Sequence, residues 1–258
     1  MSSRIENMKN ILLGKEFETR SCGRCSVVDY KGRDKVFVKF YEYPNIVKCN
    51  LSNLKKGLVS NPMRPTFRGV GYMGAGKYTS DDKLAYQTWN NMLERSYSEK
   101  CHQKQPSYKD TIVCDEWLNF QNFAEWCYSQ EFFNAKDDKG KVYQLDKDIL
   151  FKGNKIYSPE KCCFVPKDIN VLLLKSRKTR GDCLIGVTFN KNSGKFVTQM
   201  GVTGISCYIK QSVTEDEAFQ AYKKAKEAHI KLVAEKWKDA IDPRAYDALM
   251  NYEVDIND

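Results

Sequence analysis

The chain has 258 residues, 41% hydrophobic and 29% charged, a balance that excludes a disordered polypeptide. Its longest apolar runs, such as residues 171–174, are four long, far below the ~18 residues of a membrane span. Lys and Arg number 42 against 33 Asp and Glu, a net charge of +9, and the two histidines, His102 and His229, exclude most histidine-dependent chemistry unless one of them is central.

The positive charge is unevenly spread. Residues 1–80 hold 15 Lys/Arg against 6 Asp/Glu, whereas residues 81–170 are net −2 and residues 171–258 net +2. Lys175, Arg177, Lys178 and Arg180 put four cations into six residues, and residues 239–258 hold six acids and one Arg. Segregation of this kind points to a polyanion partner, with nucleic acid ahead of a membrane surface. A solvated surface is the plain alternative.

The first ten residues lack the hydrophobic region of a signal peptide, which predicts a reducing compartment and ten free cysteines. The one CxxC, Cys22-Gly-Arg-Cys25, has no second CxxC or histidine pair. Cys49 would supply at most a third zinc ligand, so small buried cysteines on a turn are the stronger reading.

In chain order, residues 26–30, 35–40 and 46–51 read as short strands. Alternation puts Val36, Val38 and Phe40 on one face, with Lys35, Phe37 and Lys39 on the other. Residues 61–77, with two prolines and four glycines, read as a loop. The GVGYMGAGK inside it does not have phosphate-loop spacing. Residues 81–100 read as a helix carrying Leu84, Trp89, Met92, Leu93 and Tyr97, and residues 117–128 as a second helix with Trp117, Phe120, Phe123 and Ala124 on one face. Two short strands are expected over 142–150 and 156–166, then a helix over 167–175.

The last segment reads more clearly. Residues 185–190, 195–200 and 205–211 are three strands joined by turns. Thr214 and Glu217 form a capping box before a helix whose apolar stripe is Ala218, Ala221, Tyr222, Ala225, His229, Leu232 and Val233. His229 on that stripe reads as a packed residue. Alternation places Lys195, Val197 and Gln199 on one sheet face with Ser206, Tyr208 and Lys210, leaving Phe196, Met200, Cys207 and Ile209 to pack on the helix.

Five spaced blocks carry a resemblance: WNNMLERSY at 89–97, YKDTIVCDEWLNFQNF at 108–123, LDKD at 145–148, YSPEKCCFVP at 157–166, and Asn170. In that order they resemble phage-encoded HNH-type proteins related to homing endonucleases, over about residues 80–175. Residues 183–237 resemble the three-strand-plus-helix DNA-binding domain of plant ethylene-response transcription factors. The basic residues 1–75 look like an N-terminal module of phage relatives. The resemblance implies a ββα metal finger in which a histidine activates water, while an Asp and a helical Asn or His hold one divalent cation. Carried onto this chain, the metal residues are Asp146 and Asn170, and the base position is Lys147. Lysine is a poor general base beside Asp146 and Asp148, whose charges favour the ammonium.

The resulting expectation is an α+β protein of several modules. Residues 1–80 form a basic β-rich module, 81–175 an HNH-like ββα domain, 181–238 a three-strand-plus-helix domain, and 239–258 an acidic tail. The expected function is a phage DNA-binding protein in the host cytoplasm, derived from an HNH homing endonuclease and without nuclease activity. Lys175, Arg177, Lys178 and Arg180 would hold phosphates, while Lys195, Gln199, Tyr208 and Lys210 would face the major groove of double-stranded DNA. Binding needs no cofactor. The alternatives are an active nicking enzyme using magnesium at Asp146 and Asn170, and a regulator whose partner is a host protein.

Overall fold

Alternating apolar residues build the first sheet. The computed structural model describes residues 3–173, 182–202 and 205–256, a mixed α+β chain with several small sheets and two compact units, Met1–Trp126 and Cys127–Asp258. The first unit opens with helix α1 (Ser3–Leu12) and an antiparallel meander of β1 (Glu16–Thr19), β2 (Gly23–Tyr30), β3 (Val36–Phe40) and β4 (Ile46–Cys49), followed by α2 (Leu51–Lys55). Val27, Val38 and Val47 stand in register across three strands. Val36, Val38 and Phe40 are buried, as their alternation predicts, and pack with Leu12 and Leu54. Each such side chain contributes about 1.5–3 kcal/mol by leaving water. The third expected strand, 46–51, stops at Cys49 because Asn50 caps α2, its side chain accepting from the Asn53 amide at 2.7 Å.

Cys22 and Cys25 lie in this core. Cys22 Sγ accepts from the Asn61 amide at 3.2 Å, and the Cys22 amide donates to Thr19 Oγ1 at 3.1 Å. Burial pushes the Cys25 thiol up, helped by Glu18, and pushes Cys49 to about 11. These thiols stay protonated at neutral pH and act as small apolar side chains.

The rest of the first unit is built on aromatic residues. It contains α3 (Lys83–Tyr97), α4 (Glu99–Lys104), the short β5 (Ile112–Val113), α5 (Asp115–Leu118) and α6 (Phe120–Ser129), within which the division between the units falls. Trp89, Trp117, Phe120 and Phe123 are fully buried, and Trp89 Nε1 donates to the Trp117 carbonyl at 2.7 Å. The single helix expected over 117–128 is broken at Asn119. There the Tyr72 amide bonds the Leu118 carbonyl, and the Phe120 amide bonds the Tyr72 carbonyl, both at 2.9 Å. The glycine-rich loop is thus a strap packed on the helices. Gly71 sits where a Cβ would come within 2.5 Å of Leu93. Gln121 ties the strap down, donating to the Met73 and Tyr78 carbonyls and accepting from the Tyr78 amide.

The second unit contains β6 (Gln144–Asp146), β7 (Ile156–Tyr157), β8 (Cys163–Val165) and α7 (Lys167–Leu172), then β9 (Val187–Asn190), β10 (Lys195–Val202), β11 (Ile205–Ser212), α8 (Glu215–Trp237) and α9 (Pro243–Met250). β9, β10 and β11 form an antiparallel meander with β10 in the middle, and α8 packs on it. Thr214 caps α8, its hydroxyl accepting from the Glu217 amide at 3.2 Å. The buried stripe of α8 is Ala218, Phe219, Tyr222, Ile230, Ala234 and Trp237, whereas Leu232, expected on the stripe, is 70% exposed. Residues 239–256 return to α8. α9 packs on α8, burying Ile241, Ala245, Leu249 and Val254. Among the described residues no helix is long and apolar enough to cross a membrane.

Candidate nucleic-acid interface

The outward face of β9–β11 is set by the alternation of β10. Thr198 is fully buried, its hydroxyl donating to the Ala218 carbonyl of α8 at 2.9 Å, while Phe196 and Met200 pack in the same cluster. Gln199 therefore points away from the helix and is exposed, in register with Tyr208, which is 62% exposed. Ser206 Oγ donates to Gln199 Oε1 at 3.4 Å.

A bulge changes the expected set. The β10–β11 register shifts between Thr198 and Gln199, so Lys210 pairs with Thr198 and Gln211 pairs with Val197. Lys210 is exposed, but it stands in the row of the helix-facing Thr198. Gln211 takes the place expected for it. Thr188, Val197, Gln199, Tyr208 and Gln211 line one shallow concavity of about 560 Å³, together with Lys191 from the β9–β10 turn. Lys195 lies at the start of β10, exposed beside the turn. Thr188 and Gln211 were missed by sequence reasoning, because only cross-strand pairing reveals them. Lys175, Arg177, Lys178 and Arg180 lie outside the described residues.

The other predicted site residues come together around β6, β8 and α7. β6 pairs antiparallel with β8, matching Asp146 with Cys163, and α7 follows directly and contacts β6. Asp146 Oδ1 accepts from the amides of Asp148 and Ile149 at 2.7 and 2.8 Å, which closes the turn after β6. Burial raises the Asp146 carboxyl above its ordinary value, with the Asp148 charge adding to it against those amide bonds. Asn170 Nδ2 donates to Gln144 Oε1 at 2.8 Å.

Lys147 is 5% exposed. Its ammonium donates to both Asp148 carboxylate oxygens at 2.7 Å and to the Asn154 carbonyl at 2.9 Å. An ammonium with its three hydrogens so placed has no lone pair to take a proton from water. The magnesium implied by the resemblance fits these residues only in part. A magnesium site draws on one or two free carboxylates and open positions for water. Here Asp146 accepts two backbone amides through Oδ1, Asp148 is paired with Lys147, and Asn170 donates its Nδ2 to Gln144, bonds that leave Asp146 Oδ2 and Asn170 Oδ1 unengaged. Among the described residues no group of three or more His, Cys, Asp or Glu side chains converges.

His229 does not join this cluster. His102 Nε2 bonds the Arg95 carbonyl at 2.9 Å. His229 is half-buried on α8, its pKa lowered by burial and by Lys226. Comparison with family models, curated proteins and solved structures gives no match to this chain.

Proposed function

We propose that the chain is a phage DNA-binding protein built on an HNH homing-endonuclease scaffold, gripping double-stranded DNA without cutting it. The observation that carries this reading is the open face of β9–β11. It presents an amide, a phenol and a second amide around Val197, and residues 183–212 contain three lysines and no carboxylate. A face with hydrogen-bonding groups and only positive charge complements base edges flanked by phosphates. Three strands span two inter-strand spacings, about 10 Å, against a major groove about 12 Å wide. The basic residues 1–80 would add contacts to phosphates.

Binding is favoured over cleavage by the state of Lys147, whose buried ammonium is held by Asp148 and Asn154 where the scaffold's chemistry needs a neutral base. The test is a pair of assays on the full chain. Salt-dependent binding to random duplex DNA, without scission in magnesium or manganese, is the expected result. Salt-insensitive association with a host protein and no DNA affinity would replace it with the regulator reading.

A further inference from the structure

We infer that the open face of β9–β11 prefers A·T base pairs, read through Gln199 and Gln211. This rests on the DNA-binding reading above and names the sequence class that the same face selects.

The first ground is the chemistry of the side chains. A glutamine amide matches the major-groove edge of adenine in two places, accepting from N6–H and donating to N7. Guanine shows two acceptors there and is matched by arginine or lysine. Residues 182–212 contain no arginine. Their three lysines stand off the centre of the face. Lys191 lines the concavity from the β9–β10 turn, Lys195 stands beside that turn, and Lys210 is in the row of Thr198. The centre is left to Gln199 and Gln211.

The second ground is availability. Ser206 Oγ stands 3.4 Å from Gln199 Oε1, a long, exposed contact that an incoming base edge can replace. Asn190, also at this face, is occupied differently. Its Oδ1 accepts from the Asn192 and Ser193 amides at 2.9 and 3.3 Å and closes the hairpin turn. It serves the turn, not the base edge.

The third ground is the row Thr188–Val197–Gln211, in register across the three strands. It puts the buried Val197 next to Gln211 and the exposed Thr188 one strand further across. Thr188 is the exposed residue of this row with a methyl to offer, which suits the C5-methyl of thymine, the group that marks an A·T pair beside the adenine edge. Gln199 and Gln211 are one row apart along the strands and one strand apart across the sheet. That places the amides about 8 Å apart, or two to three base-pair steps of about 3.4 Å.

The experiment is selection of bound sites from random duplexes with the full chain, repeated with Gln199→Ala, Gln211→Ala and Gln199→Arg. The natural protein is expected to enrich A·T at two positions two to three steps apart. Each alanine variant should lose about five- to a hundredfold of discrimination at one position. Gln199→Arg should turn that position toward G·C. Both glutamines are exposed, and an unchanged thermal midpoint shows that the variants fold. Enrichment of guanine, or no base preference alongside salt-sensitive duplex binding, overturns this inference and leaves the DNA-binding reading standing. No duplex affinity at about 50 mM salt removes both.

Discussion

Lys147 and Asn154 hold each other twice. The Lys147 ammonium donates to the Asn154 carbonyl at 2.9 Å, and the Asn154 amide donates back to the Lys147 carbonyl at 2.8 Å. Asn154 also donates to the Ile156 carbonyl and accepts from the Ile156 amide. The loop from 147 to 156 is therefore closed by two side chains, and the ammonium is a structural part of it.

The consequence for chemistry is direct. The natural protein is expected to give no strand scission with magnesium or manganese. Lys147→Met, whose side chain is one atom shorter and carries none of the three donors, should destabilise the second unit by about 1–3 kcal/mol. Denaturant unfolding measures the second effect and a plasmid-nicking assay the first. Robust metal-dependent cleavage that disappears in Asp146→Ala would overturn the binding reading.

A second prediction concerns Gly186, which precedes β9. Its φ is +74°, and a Cβ there would meet the Tyr222 ring of α8 at 2.0 Å. The Gln199 amide also bonds the Gly186 carbonyl at 2.9 Å, so the glycine is fixed between ring and sheet. Gly186→Ala combines backbone strain with overpacking and should cost about 2–4 kcal/mol. The variant should unfold at lower denaturant, and DNA affinity should fall only where α8 parts from the sheet. A wild-type midpoint would show that Tyr222 can swing away freely.

Much of the fold was legible where one residue reports its own surroundings. Alternation gave the buried face of Val36, Val38 and Phe40, and the spacing of Thr214 and Glu217 gave the start of α8. Features fixed by distant partners were not legible. The break at Asn119 depends on Tyr72, and nothing in residues 117–128 reveals it. The stripe of α8 was misread in its second half because that half does not face the sheet alone. Trp237 packs edge-on against Tyr143, and α9 covers its neighbours. The same holds for the candidate interface. Gln199 and Tyr208 were readable from alternation, but the bulge that removes Lys210 and admits Gln211 exists only in the pairing of two strands.

The returning C-terminal segment gives a pH prediction. Asp242 caps α9, accepting from the Arg244 amide at 2.9 Å, and pairs with the Arg244 guanidinium. Burial pushes the Asp242 carboxyl up, but the two kinds of Arg244 bond outweigh it and hold the carboxyl below its ordinary value. A lowered folded-state pKa means the contribution is complete above the unfolded value, about 3.8–3.9, and is lost as pH falls through the folded one. Asp242→Ala should therefore cost about 1 kcal/mol near pH 7. The gap between variant and natural protein should close as the pH drops below about 4. Asp242→Asn keeps an acceptor for the cap and should cost less. Urea unfolding of the three proteins from pH 7 to 3 checks this, and a gap that stays constant across the range would show that the charge contributes nothing.

The last prediction separates affinity from readout by their response to salt. Each phosphate neutralised by a cation releases counterions, so log affinity should fall against log salt with a slope of about 0.9 per contact. Residues 1–80, with their net +9, and the cluster Lys175, Arg177, Lys178 and Arg180 predict a total slope of several units. Replacing Arg177, Lys178 and Arg180 together with Ala should weaken binding to every duplex alike and flatten the slope. Lys195→Ala alone should flatten it by about one unit. Tyr208→Phe removes only an uncharged hydroxyl from the open face, so it should change which sequences are preferred and leave the slope where it was. Fluorescence anisotropy on one selected and one random duplex, from 50 to about 300 mM salt, gives both quantities at once. If the Lys195 and Tyr208 variants change slope and preference together, the division between phosphate-holding lysines and base-facing polar groups fails, and the sheet must bind DNA in another orientation.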